Sequence, residues 1–147
     1  MTWTRAAAGA NRYAMTTELT VLAWGCVLAL VHVFAAIRAK TRQYGSKWNI
    51  SARDEEVPPL NPVAGRLARA QANFYESFPI MVAAILIVSV AHLENRWTAL
   101  GALIWLGARL LYLPLYAFAV PVLRSLAWTA GLAGIVMVLW PALAAAF

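Results

Sequence analysis

The sequence predicts an all-α integral membrane protein, a bundle of four spanning helices with a long loop between the first and the second. Three observations predict it. Hydrophobic residues make up 63% of the 147 positions and charged residues only 12%, about half of the roughly 25% that a soluble domain carries. The apolar residues come in long blocks, whereas barrel strands are about half as long and alternate in polarity. Four such blocks each approach the ~17–25 residues that cross a bilayer. One domain is expected at this length.

The first block, Leu19 to Ile37, is too long and too poor in a cleavage site for a signal peptide, and reads as a retained helix. Residues 1–16 before it are rich in Ala and Thr and read as a flexible N-terminal segment, with Met15 as an alternative start; the bundle then occupies 17–147. A polar loop follows, roughly Arg38 to Asn61, containing "RDEEVPPLNP". Its Pro58-Pro59 and Asn61-Pro62 pairs forbid a continuous helix. Pro62 suits the first position of a second helix, with Asn61 as its cap. That helix starts outside the bilayer and enters it near Phe74, its apolar block running from Ser77 to Leu93. The third block, Trp97 to Val120, contains Arg109, and the fourth, Ser125 to Phe147, follows a turn at Pro121 that holds Arg124.

Basic residues set the orientation. Arg38, Lys40, Arg42, Lys47, Arg53, Arg66 and Arg69 lie between the first two helices, and Arg124 falls on the same side. Arg5, Arg12 and Arg96 fall on the other. The bias places the long loop in the cytoplasm and both termini on the opposite side. A net charge of +6 could suggest nucleic acid, but its clustering between apolar blocks fits the surface of a lipid bilayer instead; no nucleic-acid partner is expected. All basic residues but Lys40 and Lys47 are arginines, which fits a GC-rich bacterium and thus an inner-membrane location. Cys26 excludes an internal disulfide and reads as a small buried apolar side chain. His32 and His92 stand alone on separate helices with no metal-ligand spacing around them, so no metal is expected.

The chemistry lies in two polar stripes. Along "RLARAQANFYESFP", Arg69, Asn73 and Glu76 share a helix face about 60° wide. Glu76 reads as the only carboxylate in or at the mouth of the core. A charge at bilayer depth costs roughly 2.5–3.5 kcal/mol on insertion scales, so this face turns to the bundle or to a neighbouring subunit. Arg69 and Glu76 stand two turns apart, about 10 Å along the axis, too far for a direct pair. Pro79 deprives the Tyr75 carbonyl of its usual donor and kinks the helix just past Glu76. On the third helix Arg109, Tyr112 and Tyr116 again share one face. Arg109 either neutralises Glu76 or touches a ligand. Two polar stripes are more than one four-helix subunit needs to hide, which predicts a homotrimer. Arginines grip carboxylates bidentately, and a lone glutamate among them welcomes an ammonium. The implied ligand is a small zwitterion with more carboxylates than amines, and glutathione fits.

"RLARAQANFYESFP" and "ARLLYLPLYAFAVPVLRS" resemble the MAPEG family, membrane-associated proteins in eicosanoid and glutathione metabolism, from about Glu18 onward. The resemblance implies a trimer of four-helix subunits, akin to a bacterial microsomal glutathione transferase, with glutathione as cosubstrate bound between subunits at the cytoplasmic side. It assigns Arg69, Asn73 and Glu76, with Gln71 in some members, and Tyr112 and Tyr116, to glutathione contact. Arg38 is similar to the arginine that holds a peptide carboxylate. Arg124 matches the arginine credited with thiol activation, and Ser125 follows it as in the prostaglandin-synthesising branch. Ser77 and Ala72 depart from the leukotriene and prostaglandin branches, which favours a general transferase or peroxidase acting on lipophilic small molecules over eicosanoid synthesis. The rival readings are a non-catalytic lipid-binding membrane protein and, behind it, a small transporter using Glu76 for coupling.

Overall fold

The computed structural model describes residues 15–146. The segment expected to be flexible, 1–16, lies outside the described residues except for its last two. Five helices follow: α1 (Thr17–Tyr44), the single-turn α2 (Ser46–Ile50), α3 (Pro62–Val90), α4 (Arg96–Ala117) and α5 (Pro121–Ala144). All but α2 are long and apolar enough to cross a membrane. Their outward faces carry bulky apolar side chains such as Trp24, Phe34, Leu103 and Trp140, as lipid contact requires.

Local chemistry fixes the helix ends. Thr16 caps α1 by accepting the Leu19 N–H. Asn61 caps α3, its Oδ1 accepting the Ala64 N–H at 2.9 Å, with Pro62 first in the helix, as the sequence predicts. Such a cap contributes typically about 1 kcal/mol. Asn95 and Thr98 form a reciprocal capping box on α4. The turns after α3 and α4 close in the same way: Leu93 N–H donates to Val88 O, and Val120 N–H to Leu115 O. Both bonds are the outer link of a Schellman cap, whose C′ residue adopts left-handed backbone. Here those residues are His92 (φ 54°) and Ala119 (φ 58°), not glycine.

Some boundaries differ from the sequence expectation. The first helix runs on through Tyr44, so the start of the expected loop is helical. Gln43 and Tyr44 at its end hold the loop down, donating to the carbonyls of Pro59 (2.8 Å) and Pro58 (2.6 Å). Helix α4 stops at Ala117, before Val120, and α5 already begins at Pro121. Arg124 and Ser125 therefore lie in the opening of a helix and not in a turn. His92 is in the α3–α4 turn and not on a helix. Cys26 is exposed, because α1 turns it away from the bundle; the expectation of a buried thiol fails.

Within the bundle α1 packs against α3 and α4, and α5 packs against α4 and α3. The α4–α5 seam is the tightest. A Cβ on Gly134 would stand 2.5 Å from the Gly101 carbonyl oxygen, and one on Gly101 would stand 2.8 Å from that of Gly134. Small residues let membrane helices approach backbone to backbone in this manner. The centre is aromatic. His32 stacks on Phe74 (centroids 4.5 Å apart), Phe74 meets Phe78 at 5.0 Å, and Phe78 lies parallel to Trp105 at 5.9 Å. Burial of Phe74 fixes the rotation of α3 and so carries its neighbour Asn73 toward α4. Near the loop end of the bundle, Arg66 Nε donates to Ala117 O at 3.0 Å, tying the first turns of α3 to the end of α4.

Candidate functional site

Where α4 ends and α5 begins, a cavity of about 410 Å³ opens against α3. Five of the residues singled out in the sequence line it: Asn73, Tyr112, Tyr116, Arg124 and Ser125. Trp128 and Thr129 complete the wall. Their signal was available, since each stands four positions after Arg124 or Ser125 and hence on the same helix face.

Two tyrosine rings of the wall are sandwiched between two cations. The Arg109 guanidinium lies 5.5 Å from the Tyr112 ring centroid, the two tyrosine rings meet edge to face at 5.3 Å, and the Arg124 guanidinium lies 4.8 Å from the Tyr116 centroid. Each cation–π contact contributes on the order of 0.5–2 kcal/mol, more where water is excluded. The stack holds Arg124 at the cavity without consuming its N–H donors in an ion pair among the described residues. Ser125 Oγ donates to Pro121 O at 3.0 Å, and Thr129 Oγ1 to Ser125 O at 3.1 Å. With their protons committed to the preceding turn, both hydroxyls can offer lone pairs. The first turn of α5 adds positive potential from its N-terminal dipole, and Val120 supplies no side-chain cap there.

Behind the cavity wall sits Arg109, 1% exposed. Its Nη1 donates to Asn73 Oδ1 at 3.0 Å, and Asn73 Nδ2 donates to Glu76 Oε2 at 3.2 Å. Arg109 thus reaches Glu76 through Asn73, and not by the direct neutralisation that is one reading of the sequence. Gly131 leaves room for it: a Cβ there would stand 3.4 Å from Arg109 Nε and 3.5 Å from Nη2. No pattern in the sequence marks Gly131 for that task.

The other expected residues are distributed differently. Glu76 is exposed on the chain, one hydrogen bond from the cavity. Arg69, also exposed, and the half-buried Gln71 do not line the cavity. Arg38 lines a separate groove of about 700 Å³ between α1 and the start of α3, with Arg42, Ala35, Ala39 and Leu67. Ser77 is buried, and its hydroxyl bonds back to the Phe74 carbonyl at 3.3 Å, away from the site. Nor is Glu76 the one carboxylate of the bundle. Glu18, 2% exposed, accepts a short hydrogen bond from Thr98 Oγ1 of α4, near the end remote from the cavity.

Comparison with curated proteins yields no match. The model of the MAPEG family matches residues 21–144, a stretch that takes in α3, α4 and α5, all of α1 but its first turn, and every residue of the cavity. With four such helices and this match, the chain is an integral, multi-pass membrane protein and belongs to the MAPEG family.

Proposed function

We propose that the protein is a membrane-bound glutathione-dependent transferase or peroxidase that activates the glutathione thiolate toward lipophilic electrophiles. The observation that carries this reading is the cavity itself. A guanidinium, Arg124, lies over an aromatic wall of Tyr116 and Tyr112, and a carboxylate, Glu76, stands one hydrogen bond away through Asn73. The glutamate suits the ammonium of the tripeptide, and the serine and threonine hydroxyls suit its amide donors. Its carboxylates call for further arginines, which a single chain places outside the cavity. Arg69 lies two turns back on α3, and Arg38 lines the α1–α3 groove. A homotrimer resolves this by bringing Arg38 of the partner subunit against the cavity of the first, which also covers the exposed face of α3.

Arg124 would act on the sulfur. A free thiol titrates near ~8.5 and is mostly protonated at neutral pH. A guanidinium in hydrogen-bonding reach favours the anion and lowers that value. A shift of two units corresponds to about 2.7 kcal/mol, within range for a cation in a partly dry site at a helix N-terminus. The thiol proton leaves to solvent, and the sulfur lone pair forms the new bond to the electrophilic carbon as its leaving group departs. A lipophilic substrate reaches the sulfur from the bilayer, on the side where α4 and α5 face lipid. The charge bias of the loops supports a cytoplasmic position for this end of the bundle.

The test is calorimetric titration of the detergent-solubilised protein with glutathione, paired with turnover of an apolar aryl halide and a lipid hydroperoxide. Binding with turnover is the expected result. Binding without turnover would favour the non-catalytic membrane protein, and no binding would reject the reading altogether. Cross-linking in mild detergent should give a three-subunit species, whereas a strict monomer would remove the intersubunit share of the site.

A further inference from the structure

We propose that Arg109 is a positioning residue that locks Asn73 in the single orientation presenting the Glu76 carboxylate to an amine, and so sets the site's preference for amine-bearing ligands. The orientation follows from hydrogen-bond chemistry. A guanidinium can only donate and an ionised carboxylate can only accept, while an asparagine amide has one end of each kind. With Arg109 Nη1 at 3.0 Å from one end of Asn73 and Glu76 Oε2 at 3.2 Å from the other, only one amide orientation satisfies both neighbours. Turned over, the amide would set NH₂ against a guanidinium and carbonyl oxygen against carboxylate. Without Arg109 the flip loses half of its penalty, and Glu76 loses a fixed donor.

The surroundings argue against a purely structural arginine. Buried donors are ordinarily matched, yet Arg109 Nε and Nη2 have no hydrogen-bond partner among the described residues. On the α5 side the guanidinium meets Gly131, which offers no side-chain acceptor, and below it lies the Tyr112 ring. Its side-chain hydrogen bonding is therefore spent on Asn73. A charge at this depth costs several kcal/mol, and the structure commits it to orienting one amide. Glu76 is exposed and its Oε2 is held, so the carboxylate is aimed rather than consumed.

The identity of the ligand rests on the reading above; the positioning role does not, and the two are tested separately. In the first arm, the Asn73 side-chain NH₂ is followed by ¹H–¹⁵N NMR of the ligand-free protein and assigned by its disappearance in Asn73→Asp. Wild type and Arg109→Lys should show one of the two amide protons shifted downfield and slowed in exchange with water by its bond to Glu76. Arg109→Met should move that proton toward the shift and fast water exchange of a free amide, the two signals staying resolved because the C–N bond turns slowly. An unchanged signal in Arg109→Met would overturn the proposal whatever the ligand. In the second arm, glutathione is compared with its des-amino analogue. A hydrogen-bonded charge pair is worth about tenfold or more in affinity, so wild type should prefer glutathione by about that factor. Arg109→Met should reduce the preference to near unity, and Arg109→Lys should restore most of it. A preference that persists or grows in Arg109→Met would show that Arg109 only screens Glu76, and would overturn the proposal. If the NMR arm succeeds while no variant binds glutathione, the amide lock stands and the ligand assignment falls. Should Arg109→Met not insert stably, the shorter neutral Arg109→Gln carries both arms.

Discussion

Glu18, in the first turn of α1, and Glu76, midway along α3, are both carboxylates in an apolar bundle, and the chain treats them in opposite ways. Glu18 is buried and closed off by the Thr98 hydroxyl, which also accepts the Asn95 N–H at 2.8 Å. That arrangement ties the start of α1 to the capping box of α4 and leaves the carboxylate nothing to do but hold two helices together. Glu76 is exposed, steadied by one amide, and set beside a cavity with aromatic walls and a second cation. The lesson is that polarity inside a membrane protein does not mark function by itself. What marks it is polarity left available.

The comparison can be broken most forcefully by exchanging each charge for its neutral isostere. Glu76→Gln should weaken glutathione binding by about tenfold to a hundredfold, the range expected for losing a charge-assisted hydrogen bond. Glu18→Gln should leave that affinity within about twofold, since no ligand contact is at stake. Equal losses in calorimetric titration would mean that both glutamates act through the fold. Stability should show the reverse order. Glu18→Ala removes the charge-assisted hydrogen bond that joins α1 to Thr98, whose hydroxyl keeps the Asn95 carbonyl as acceptor at 2.7 Å, at a cost of about 1–3 kcal/mol, read as a lower unfolding midpoint in detergent. Glu76→Ala, at an exposed position, should shift the midpoint by less than about 0.5 kcal/mol.

How far the sequence reveals these differences depends on whether a property is local. Asn61 and Pro62 announce the start of α3 through bonds made within one turn, and the structure has them as expected. Asn73 and Glu76 can be placed on one face by periodicity alone, and Arg109, Tyr112 and Tyr116 likewise. Which partner Arg109 takes depends on the rotation of α4 against α3, and the burial of Phe74 and Trp105 decides that rotation. Periodicity therefore supplies the two stripes but not the Asn73 bridge between them. Gly131 stays silent in the sequence because its contribution is room. Glu18 reads as an ordinary acidic residue in a first turn until α4 closes over it. Trp128 and Thr129 were within reach of the rule that places residues four apart on one face.

A smaller effect sharpens the boundary between fold and site. Ala119 adopts left-handed backbone in the turn that leads into α5, a conformation costing roughly 1–2 kcal/mol for a residue with a Cβ. Ala119→Gly should raise stability by up to about 1 kcal/mol, measured by thermal unfolding, without altering glutathione affinity. A loss of affinity in that variant would mean that the strained turn helps to position Arg124.

The central claim is that Arg124 makes the bound thiol an anion, and it is tested most directly by the ultraviolet thiolate absorbance of glutathione bound to the protein near neutral pH. Wild type should show the band, because the guanidinium favours the anion. Arg124→Ala should lose it, with turnover falling by about ten- to thirtyfold as a two-unit shift takes the thiol near neutral pH from mostly ionised to a few per cent, while binding falls less, since an interaction made with the thiolate appears chiefly in the rate. A band and a turnover that both survive in Arg124→Ala would contradict the account.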